Sequence, residues 1–234
     1  MDINPWQPPA KPGEITEARL IRAILDNTFP INSHLPGERE LAALLGVTRP
    51  TLREAMQRME RDGWLEIRHG KPTRVCDFWK EGSFGVSIAL ARHQDPLPID
   101  YVANLLDVRV LLCPAYTRQA VEKDGRVIAE FLNKSDQLED TAQAFADFDW
   151  HLHWRLTVSS DNPFFTHFIN SVRDLYALLG IRYFSAKKTR AHSRGFYSRL
   201  KSIAEAGDGG AAELLARQIM AESRDLWIDL AGKR

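Results

Sequence analysis

Residues Leu35 to Val75 read LPGERELAALLGVTRPTLREAMQRMERDGWLEIRHGKPTRV, and the order of helix signals in this stretch predicts the fold of the N-terminal region. Gly37 can cap a first helix, which begins with Glu38, an acid that suits the positive end of a helix dipole. Gly46 stands where a left-handed residue commonly ends a helix, and the Thr48 hydroxyl can cap the next one. The stretch therefore predicts a helix, a tight turn and a second helix.

The second predicted helix has an apolar face and a basic face. Its apolar residues recur at the i, i+3, i+4, i+7 spacing of a buried helix face: Leu52, Ala55, Met56 and Met59. Arg49 and Arg53 fall outside this face and, being four residues apart, project together from the N-terminal half of the helix. That half reaches base edges in a helix-turn-helix. The pattern favours a recognition helix, and the alternative is a solvated charged helix.

The residues after Gly63 predict a short β-hairpin. Residues 64–68 (WLEIR) alternate as a strand does, residues 69–72 (HGKP) are typical of a turn, and residues 73–75 (TRV) can return as the partner strand. A helix pair followed by a hairpin is typical of a winged helix. The basic residues of this region gather around the turn, the second helix and the hairpin: Arg39, Arg49, Arg53, Arg68, Lys71 and Arg74.

The composition is that of a globular protein without a membrane span. The 234 residues include 31 Lys+Arg and 31 Asp+Glu, so the net charge is zero, and 44% are hydrophobic. This balance excludes an indiscriminate polycationic DNA binder and favours a sequence-selective protein that pairs two heads on DNA. No apolar run approaches the roughly 18 residues that a membrane span needs. Two cysteines, Cys76 and Cys113, have no metal-like spacing, which is typical of a reducing cytoplasm.

The remainder of the chain is predicted to be helical. Residues 1–13 are rich in proline and predict an irregular lead-in, and residues 76–85 read as an aromatic linker that packs between domains. The first helix of the head is expected to end at Asn27 and Pro30 and to carry an apolar face: Ile15, Ala18, Ile21, Ile24 and Leu25. The later helices are expected at roughly 86–93, 98–120, 124–138, 141–159, 163–184, 188–206 and 210–230, with a kink or break at Pro114.

We therefore predict a mainly α protein with two domains. Residues 1–75 form a winged helix-turn-helix DNA-binding domain, residues 76–85 a linker, and residues 86–234 an all-helical bundle of about seven helices. Periodicity shows that such a bundle has a core, but it does not reveal a ligand cavity.

Five motifs carry a resemblance to a known family. They are ERELAALLGVTRPTLREAMQRMERDGWLEIRHGKPTRV at 38–75, ANLL at 103–106, SSDNP at 159–163, RYF at 182–184 and GFYSRL at 195–200. Together they resemble the GntR family of regulators and, within it, the fatty-acid-responsive FadR branch, over nearly the whole chain. The resemblance implies a homodimeric transcription factor that is not an enzyme, binds palindromic operator DNA and is released by long-chain acyl-CoA. It also implies repression of fatty-acid degradation genes, and activation of unsaturated fatty-acid synthesis genes as a further role.

The resemblance implies two sets of site residues. The DNA-binding set is Arg39, Thr48, Arg49, Thr51, Arg53, His69 and Gly70. Arginine can bridge guanine O6 and N7, threonine can donate to phosphates, and a glycine at the wing tip allows a close approach to a minor groove. The effector-binding set is Arg109, Ser223 and Trp227, the last two on one helix face. The acyl-CoA is an effector and no cofactor is expected; burial of its chain would contribute about 0.8 kcal/mol per methylene.

Three positions depart from the family pattern. Pro50 replaces a threonine, so the operator preference at one base pair is expected to differ. Met220 stands in place of a glycine in the effector region, and Gly232 in place of a lysine near the C-terminus. The departures affect the detailed contacts of the effector more than its chemical class.

One alternative is a GntR-type regulator that senses a small organic acid through a metal. Many relatives bind a metal through one aspartate and three histidines, and Asp149 and His153 have the i, i+4 spacing of two ligands on one helix face, with His151 between them. The positions of the later histidines hold other residues: Tyr197 and Ile219 or Met220. We therefore predict no metal, and a hydrogen-bonded or exposed His153.

A more distant alternative is an acyl-CoA enzyme such as a thioesterase. It would need a nucleophile or a general base in the helical region, and the pair Asp149 and His153 has no matched partner in the sequence. We predict no catalytic residue.

Overall fold

The computed structural model describes residues 11–94 and 97–231. Its contacts divide the chain into two compact units, Met1–Asp95 and Pro96–Arg234. The lead-in up to residue 10 and Gly232 lie outside the described residues.

The N-terminal unit is a winged helix-turn-helix, as predicted. Its elements are α1 (Pro12–Leu25), α2 (Glu38–Leu45), α3 (Arg49–Asp62), β1 (Leu65–Glu66), β2 (Arg74–Val75), α4 (Phe78–Glu81) and α5 (Phe84–His93). The two strands are antiparallel, with Leu65 opposite Val75, and His34 adds a single bridge to Arg74. The hairpin is thus anchored to the segment that precedes α2.

Local signals at the helix ends are confirmed. Gly46 and Gly63 end α2 and α3 with φ angles of 66° and 90°, the left-handed region that suits glycine. Thr48 caps α3, because its hydroxyl oxygen accepts the N–H of Thr51 at 3.4 Å. At Gly63 a Cβ would also lie 2.5 Å from the carbonyl oxygen of Glu81, so this turn requires glycine for space as well as for conformation.

The buried face of α3 is the predicted one, whereas that of α1 is partly different. Helix α3 buries Leu52, Ala55, Met56 and Met59. Helix α1 begins at Pro12, inside the stretch expected to be irregular, and it leaves Ile15 exposed. Its buried residues are Gly13, Thr16, Leu20, Ile21 and Ile24. The apolar residues of α1 fit two overlapping faces, and packing against α3 selects the one through Leu20.

Residues 76–85, which the sequence predicts as a linker, contain a short helix. Phe78 of α4 is buried, and its ring lies 4.7 Å from that of Trp64, which follows α3. Helix α5 packs against α1 and α3 and belongs to the N-terminal unit. The sequence predicts that the helical domain starts at residue 86, but the boundary between the two compact units lies between Asp95 and Pro96. The boundary is later because the apolar face of α5 is buried against the head.

The described part of the C-terminal unit is entirely helical. Its elements are α6 (Ile99–Leu132), a 3₁₀ turn (Asn133–Gln137), α7 (Ala142–Ser159), α8 (Pro163–Ser171), α9 (Arg173–Phe184), α10 (Lys187–Ala206) and α11 (Gly209–Ala231). Helix α6 is central, since α7, α10 and α11 all pack against it. No helix in the described ranges combines the length and the apolar character needed to cross a membrane.

Helix boundaries in this unit agree with the sequence-based ones at one place and differ at others. The division predicted between 98–120 and 124–138 is confirmed as a kink of α6 at Asp124 (φ −128°, ψ 32°), but the helix continues through Pro114, where the sequence predicts a kink or break. The segment predicted at 163–184 is instead two helices that meet at Val172. Packing of α6 against three neighbouring helices compensates for the backbone hydrogen bond lost at Pro114. This tertiary stabilisation cannot be read from the local sequence.

Candidate nucleic-acid interface and ligand cavity

The start of α3 presents two exposed arginines. The side chains of Arg49 and Arg53 are 57% and 58% exposed, on the side of the helix opposite its buried face. Both approach one carboxylate: Arg53 Nε donates to Glu38 Oε2 at 2.7 Å, and Arg49 Nη2 lies 3.7 Å from the same oxygen. Two guanidinium groups are thus exposed on the N-terminal half of α3. This is the part of a recognition helix that contacts base edges.

The threonines predicted to contact DNA lie at the same helix end. The hydroxyl oxygens of Thr48 and Thr51 are 2.8 Å apart, so the two side chains form a hydrogen-bonded pair. Pro50 lies in the first turn of α3, where its missing N–H has no acceptor within the helix. Arg39 is exposed on α2. The residues predicted to contact the major groove and phosphates are therefore surface residues of α2 and α3.

The tip of the hairpin is open. His69 is exposed, and Gly70 has a φ angle of 71° with nothing within 4 Å of the place that a Cβ would occupy. Arg68 forms an ion pair with Glu66 on β1. This geometry leaves the backbone at Gly70 accessible to a groove.

Arg74 differs from Arg49 and Arg53, because it is largely buried among carboxylates. Its Nε donates to Glu66 at 2.8 Å, its Nη2 to Glu81 at 2.7 Å and its Nη1 to Asn32 at 3.2 Å. Hydrogen bonds from this guanidinium lower the pKa of Glu81 to about 2. Arg74 therefore holds β2 to α4 and to the segment before α2.

The C-terminal unit contains a mostly apolar cavity of about 60 Å³. Arg109 on α6 and Ser223 and Trp227 on α11, the three residues predicted for the effector, all line it. Trp227 stacks on Tyr183 of α9, with ring centroids 6.5 Å apart. Most other lining residues are apolar: Val102, Leu105, Leu106, Leu179, Gly180, Phe184, Phe196, Ile219 and Met220. At about 30 Å³ per liquid water, this space suits about two waters and is too small for a long alkyl chain.

A buried polar network lies at one end of the cavity, around Arg109 and Asp149. Arg109 Nη2 lies 3.8 Å from Asp149 Oδ2 and 2.9 Å from His153 Nε2. The two carboxylate oxygens also have tyrosine partners, since Tyr197 donates to Oδ1 at 2.8 Å and Tyr176 donates to Oδ2. The guanidinium of Arg109 lies over the Tyr176 ring, 5.3 Å from its centroid. Asp149 and its cation are thus satisfied inside the bundle, as a buried charge requires.

The hydrogen bonds determine which nitrogen of His153 carries the proton. Arginine only donates, so His153 Nε2 accepts from Arg109, and the proton of the neutral ring is on Nδ1, 2.9 Å from the hydroxyl of Tyr116. Burial lowers the pKa of His153 to about 4, against the raising effect of Asp149. Burial likewise raises the pKa of Tyr116, Tyr176 and Tyr197 well above the ordinary value. The ring is therefore neutral near pH 7.

The two residues considered as metal ligands meet in this network. Asp149 Oδ2 and His153 Nε2 are 3.6 Å apart, but Arg109 contacts both atoms and Tyr197 contacts Oδ1. His151 is exposed, with Nδ1 2.6 Å from the carbonyl oxygen of Asp147. Within residues 11–94 and 97–231, no three His, Cys, Asp or Glu residues are grouped as metal ligands. A cation here would face a guanidinium, which does not suit a metal site.

Sequence reasoning paired Asp149 with His153 on one helix face and considered Arg109 apart from them, so it did not join the three residues. It missed Tyr116, Tyr176 and Tyr183, and it named Tyr197 only as a residue at the position of a metal-binding histidine. No periodic pattern of the sequence marks these tyrosines as members of one network. Tyr183 is a further polar residue of the cavity wall: burial raises the pKa of its hydroxyl to about 12, and the neighbouring Ser223 side chain opposes this shift.

Comparisons with known proteins agree over both units. Residues 13–75 match the family of bacterial regulatory proteins called gntR, and residues 76–233 match the FadR C-terminal domain. The chain is similar to the fatty acid metabolism regulator proteins of Shewanella sp. strain ANA-3 (39% identical over 220 residues, 94% of this chain and 91% of the relative) and Shewanella putrefaciens (38%, 94% and 92%). Its fold is similar to that of Lar from Listeria monocytogenes, with a TM-score of 0.65, 14% identity, and coverage of 92% of this chain and 95% of Lar.

Proposed function

This chain belongs to the GntR family of bacterial regulators, in the branch that carries the FadR C-terminal domain, and we propose that a long-chain acyl-CoA controls its binding to DNA. It is a DNA-binding regulator of fatty acid metabolism. One observation carries the proposal: Arg109, Ser223 and Trp227, which the family resemblance assigns to the effector, line the same cavity although they lie on two helices distant in sequence.

The chemistry of the cavity suits an amphipathic ligand. Its apolar walls can take up an alkyl chain, and each methylene withdrawn from water contributes about 0.8 kcal/mol. Its polar lining consists of Arg109, paired with Asp149, and of four hydroxyl residues: Tyr176, Tyr183, Ser193 and Ser223. A cation and hydroxyl donors favour the thioester, amide and phosphate oxygens of a coenzyme A group.

The small volume of the cavity supports a coupling mechanism. An alkyl chain requires α11, with Ser223 and Trp227, to move away from α6, with Arg109, so ligand binding has to select a more open state of the bundle. Control of DNA binding requires only that the open and closed states differ in affinity for DNA, and this coupling is reciprocal. We expect the change to reach residues 76–85, which include Phe78 and Trp79, and to alter the spacing of two heads.

We further propose that the protein acts in the cytoplasm as a homodimer on a palindromic operator. Two heads can then place their α3 helices in successive major grooves, with Arg49 and Arg53 directed at guanines. This modest, paired binding agrees with the zero net charge of the chain. The family resemblance favours repression of fatty-acid degradation genes and activation of unsaturated fatty-acid synthesis genes.

The test is release from operator DNA by acyl-CoAs of graded length. Oleoyl-CoA at micromolar concentration is expected to dissociate the complex, while a short acyl-CoA is not. Ser223→Leu fills the cavity, so this variant should still bind the operator but need at least about tenfold more oleoyl-CoA for release. Ser202→Leu, an exposed position on α10, is the matched control and should respond like the wild type.

Two results would remove the acyl-CoA proposal. One is release that does not depend on chain length, and the other is a Ser223→Leu variant with an unchanged response. Accumulation of free CoA during the incubation would point to a thioesterase instead.

A further inference from the structure

We propose that Glu38 is a specificity-determining residue of the DNA interface, which orients Arg53 and restrains Arg49 so that they read bases in preference to phosphates. Glu38 acts through the arginines and is a positioning residue. The inference rests on the sequence-selective DNA binding proposed above.

The contact geometry is that of one acid shared by two recognition arginines. Glu38 is the first residue of α2, and its Oε2 accepts from Arg53 Nε at 2.7 Å and lies 3.7 Å from Arg49 Nη2. Elsewhere in residues 11–94 and 97–231, no carboxylate oxygen lies within ion-pair distance of either guanidinium. The turn between α2 and α3 thus brings the carboxylate of Glu38 close to the guanidinium groups of the recognition helix.

The exposure of these side chains indicates an orienting role. Glu38 is about one-third exposed and both arginines are more than half exposed. Water screens such surface pairs, and they contribute little to the free energy of unfolding. What the contact does change is the set of conformations that Arg53 can adopt before it meets DNA.

The atom that Arg53 uses matters. It donates through Nε, so Nη1 and Nη2 stay free. These two nitrogens form the parallel pair of donors that matches guanine O6 and N7. A guanidinium already fixed in this pose loses less conformational freedom on binding a base.

The charge of Glu38 adds a second effect. A carboxylate next to the guanidiniums repels phosphates, so an arginine that turns toward the backbone meets an unfavourable potential. Without this acid both arginines could neutralise phosphates on any sequence. We therefore expect Glu38 to lower non-specific affinity while it maintains discrimination.

A purely structural role for Glu38 predicts something different. An acid in the first turn of α2 also suits the helix dipole, and its loss would weaken the helix without a change in base preference. Glu40 separates the two roles. It lies in the same first turn, is exposed, and makes no ion pair in the described part of the chain.

The experiment first selects an operator for the wild-type protein from a duplex pool with a random central segment. Dissociation constants are then measured for that operator, for every single base-pair substitution of it and for a non-specific duplex, at several salt concentrations. For Glu38→Gln, discrimination at the base pair read by Arg53 should fall by about 5-fold to 10-fold, and the slope of log K against log salt should steepen by up to about 1. Glu40→Gln should change neither quantity.

Two further variants keep the inference testable. In an Arg53→Ala background, Glu38→Gln should cause no further loss of discrimination at the base pair assigned to Arg53, because the side chain that Glu38 orients toward it is gone. Glu38→Asp keeps the charge at the helix end but shortens the reach, so it should also lose discrimination. Thermal unfolding and circular dichroism show whether each variant is folded.

The possible results distinguish a failure of the proposed function from a failure of the proposed role of Glu38. If the wild-type protein selects no sequence from the pool, the proposed function itself fails. If it selects an operator and Glu38→Gln discriminates as well as the wild type, or no worse than Glu40→Gln, only the role of Glu38 is overturned. A further loss of discrimination by Glu38→Gln at the base pair assigned to Arg53, measured in the Arg53→Ala background, would also overturn that role.

Discussion

The molecule contains two arginine–carboxylate pairs at functional positions, and they are opposites. Arg53 and Glu38 meet on the surface of the head through a single hydrogen bond, with more than half of the arginine exposed. Arg109 and Asp149 lie inside the helical unit, where the carboxylate is 5% exposed and both of its oxygens have tyrosine partners. The surface pair can exchange its carboxylate for DNA at small cost, whereas the buried pair cannot separate without leaving a charge in the interior.

This difference matches what each region is proposed to do. A reading head needs side chains that are oriented but free to change partners. A cavity that responds to a ligand needs a fixed polar end, against which the apolar walls can open. Both pairs consist of an arginine and a carboxylate, and the difference in their burial determines whether the arginine can change partners.

The largest expected effect is the loss of the buried carboxylate. Asp149→Asn keeps the shape of the side chain but leaves the Arg109 cation without its counter-ion, so we expect a loss of about 3–5 kcal/mol in the free energy of unfolding. Urea unfolding followed by circular dichroism measures this. Asp147→Asn, on the exposed side of the same helix, is the control and should cost less than about 0.5 kcal/mol. Equal effects of both would contradict the contrast between the two pairs.

The second expected effect is a pH dependence from His153. Its folded pKa of about 4 lies below the ordinary 6.5, so between these values the unfolded state binds more protons and stability falls as the pH falls. The contribution is complete above pH 6.5, and about 2–3 kcal/mol of it should be lost by pH 4. Urea unfolding across this range measures the slope. His153→Gln keeps a polar side chain but does not titrate, so an unchanged slope in this variant would assign the effect to other groups.

The third expected effect concerns the exposed arginines. Arg49→Ala and Arg53→Ala should each weaken operator binding by about 1–3 kcal/mol and reduce discrimination at one base pair, because each removes a bidentate donor. Their stability should change by less than about 0.5 kcal/mol. Arg61→Ala, in the last turn of α3 and 73% exposed, is the matched control. An equal loss of affinity on all sequences would identify Arg49 and Arg53 as phosphate contacts.

The smallest expected effect is that of a chelator, which should leave operator binding and the oleoyl-CoA response unchanged. The reason is that Arg109 contacts the atoms of Asp149 and His153 that a metal would need. Elemental analysis of the purified protein accompanies the titration. A response that EDTA removes and an added divalent metal restores would support the metal-dependent alternative.

Much of the head could be predicted from the sequence because its signals are local. Gly46, Thr48 and Gly63 act on residues within one helix turn, and the periodic stripe of α3 needs a single buried side. The same reasoning was only partly right for α1, where two overlapping faces are apolar and only the neighbouring helix selects one of them. It located the kink of α6 near Asp124, but it also expected a break at Pro114, where tertiary packing keeps the helix continuous.

The cavity could be predicted only in part. The resemblance identified Arg109, Ser223 and Trp227, and the structure brings them together. The network around Asp149 joins α6, α7, α9 and α10, through Tyr116, Tyr176 and Tyr197 as well as Arg109. Contacts between residues on different helices leave no periodic pattern in the sequence, because each helix contributes only one of the two residues in such a contact.

By itself the sequence determined most of the helical segments, where the recognition helix begins and which family the chain resembles. These properties depend on interactions within a few residues or on whole motifs. Only the tertiary structure decided that Glu38 meets the recognition arginines, that Arg74 is surrounded by carboxylates, and that Asp149 pairs with Arg109 and two tyrosines. The physical reason is that the environment of a charge depends on which helices pack around it, and that packing is a property of the whole fold.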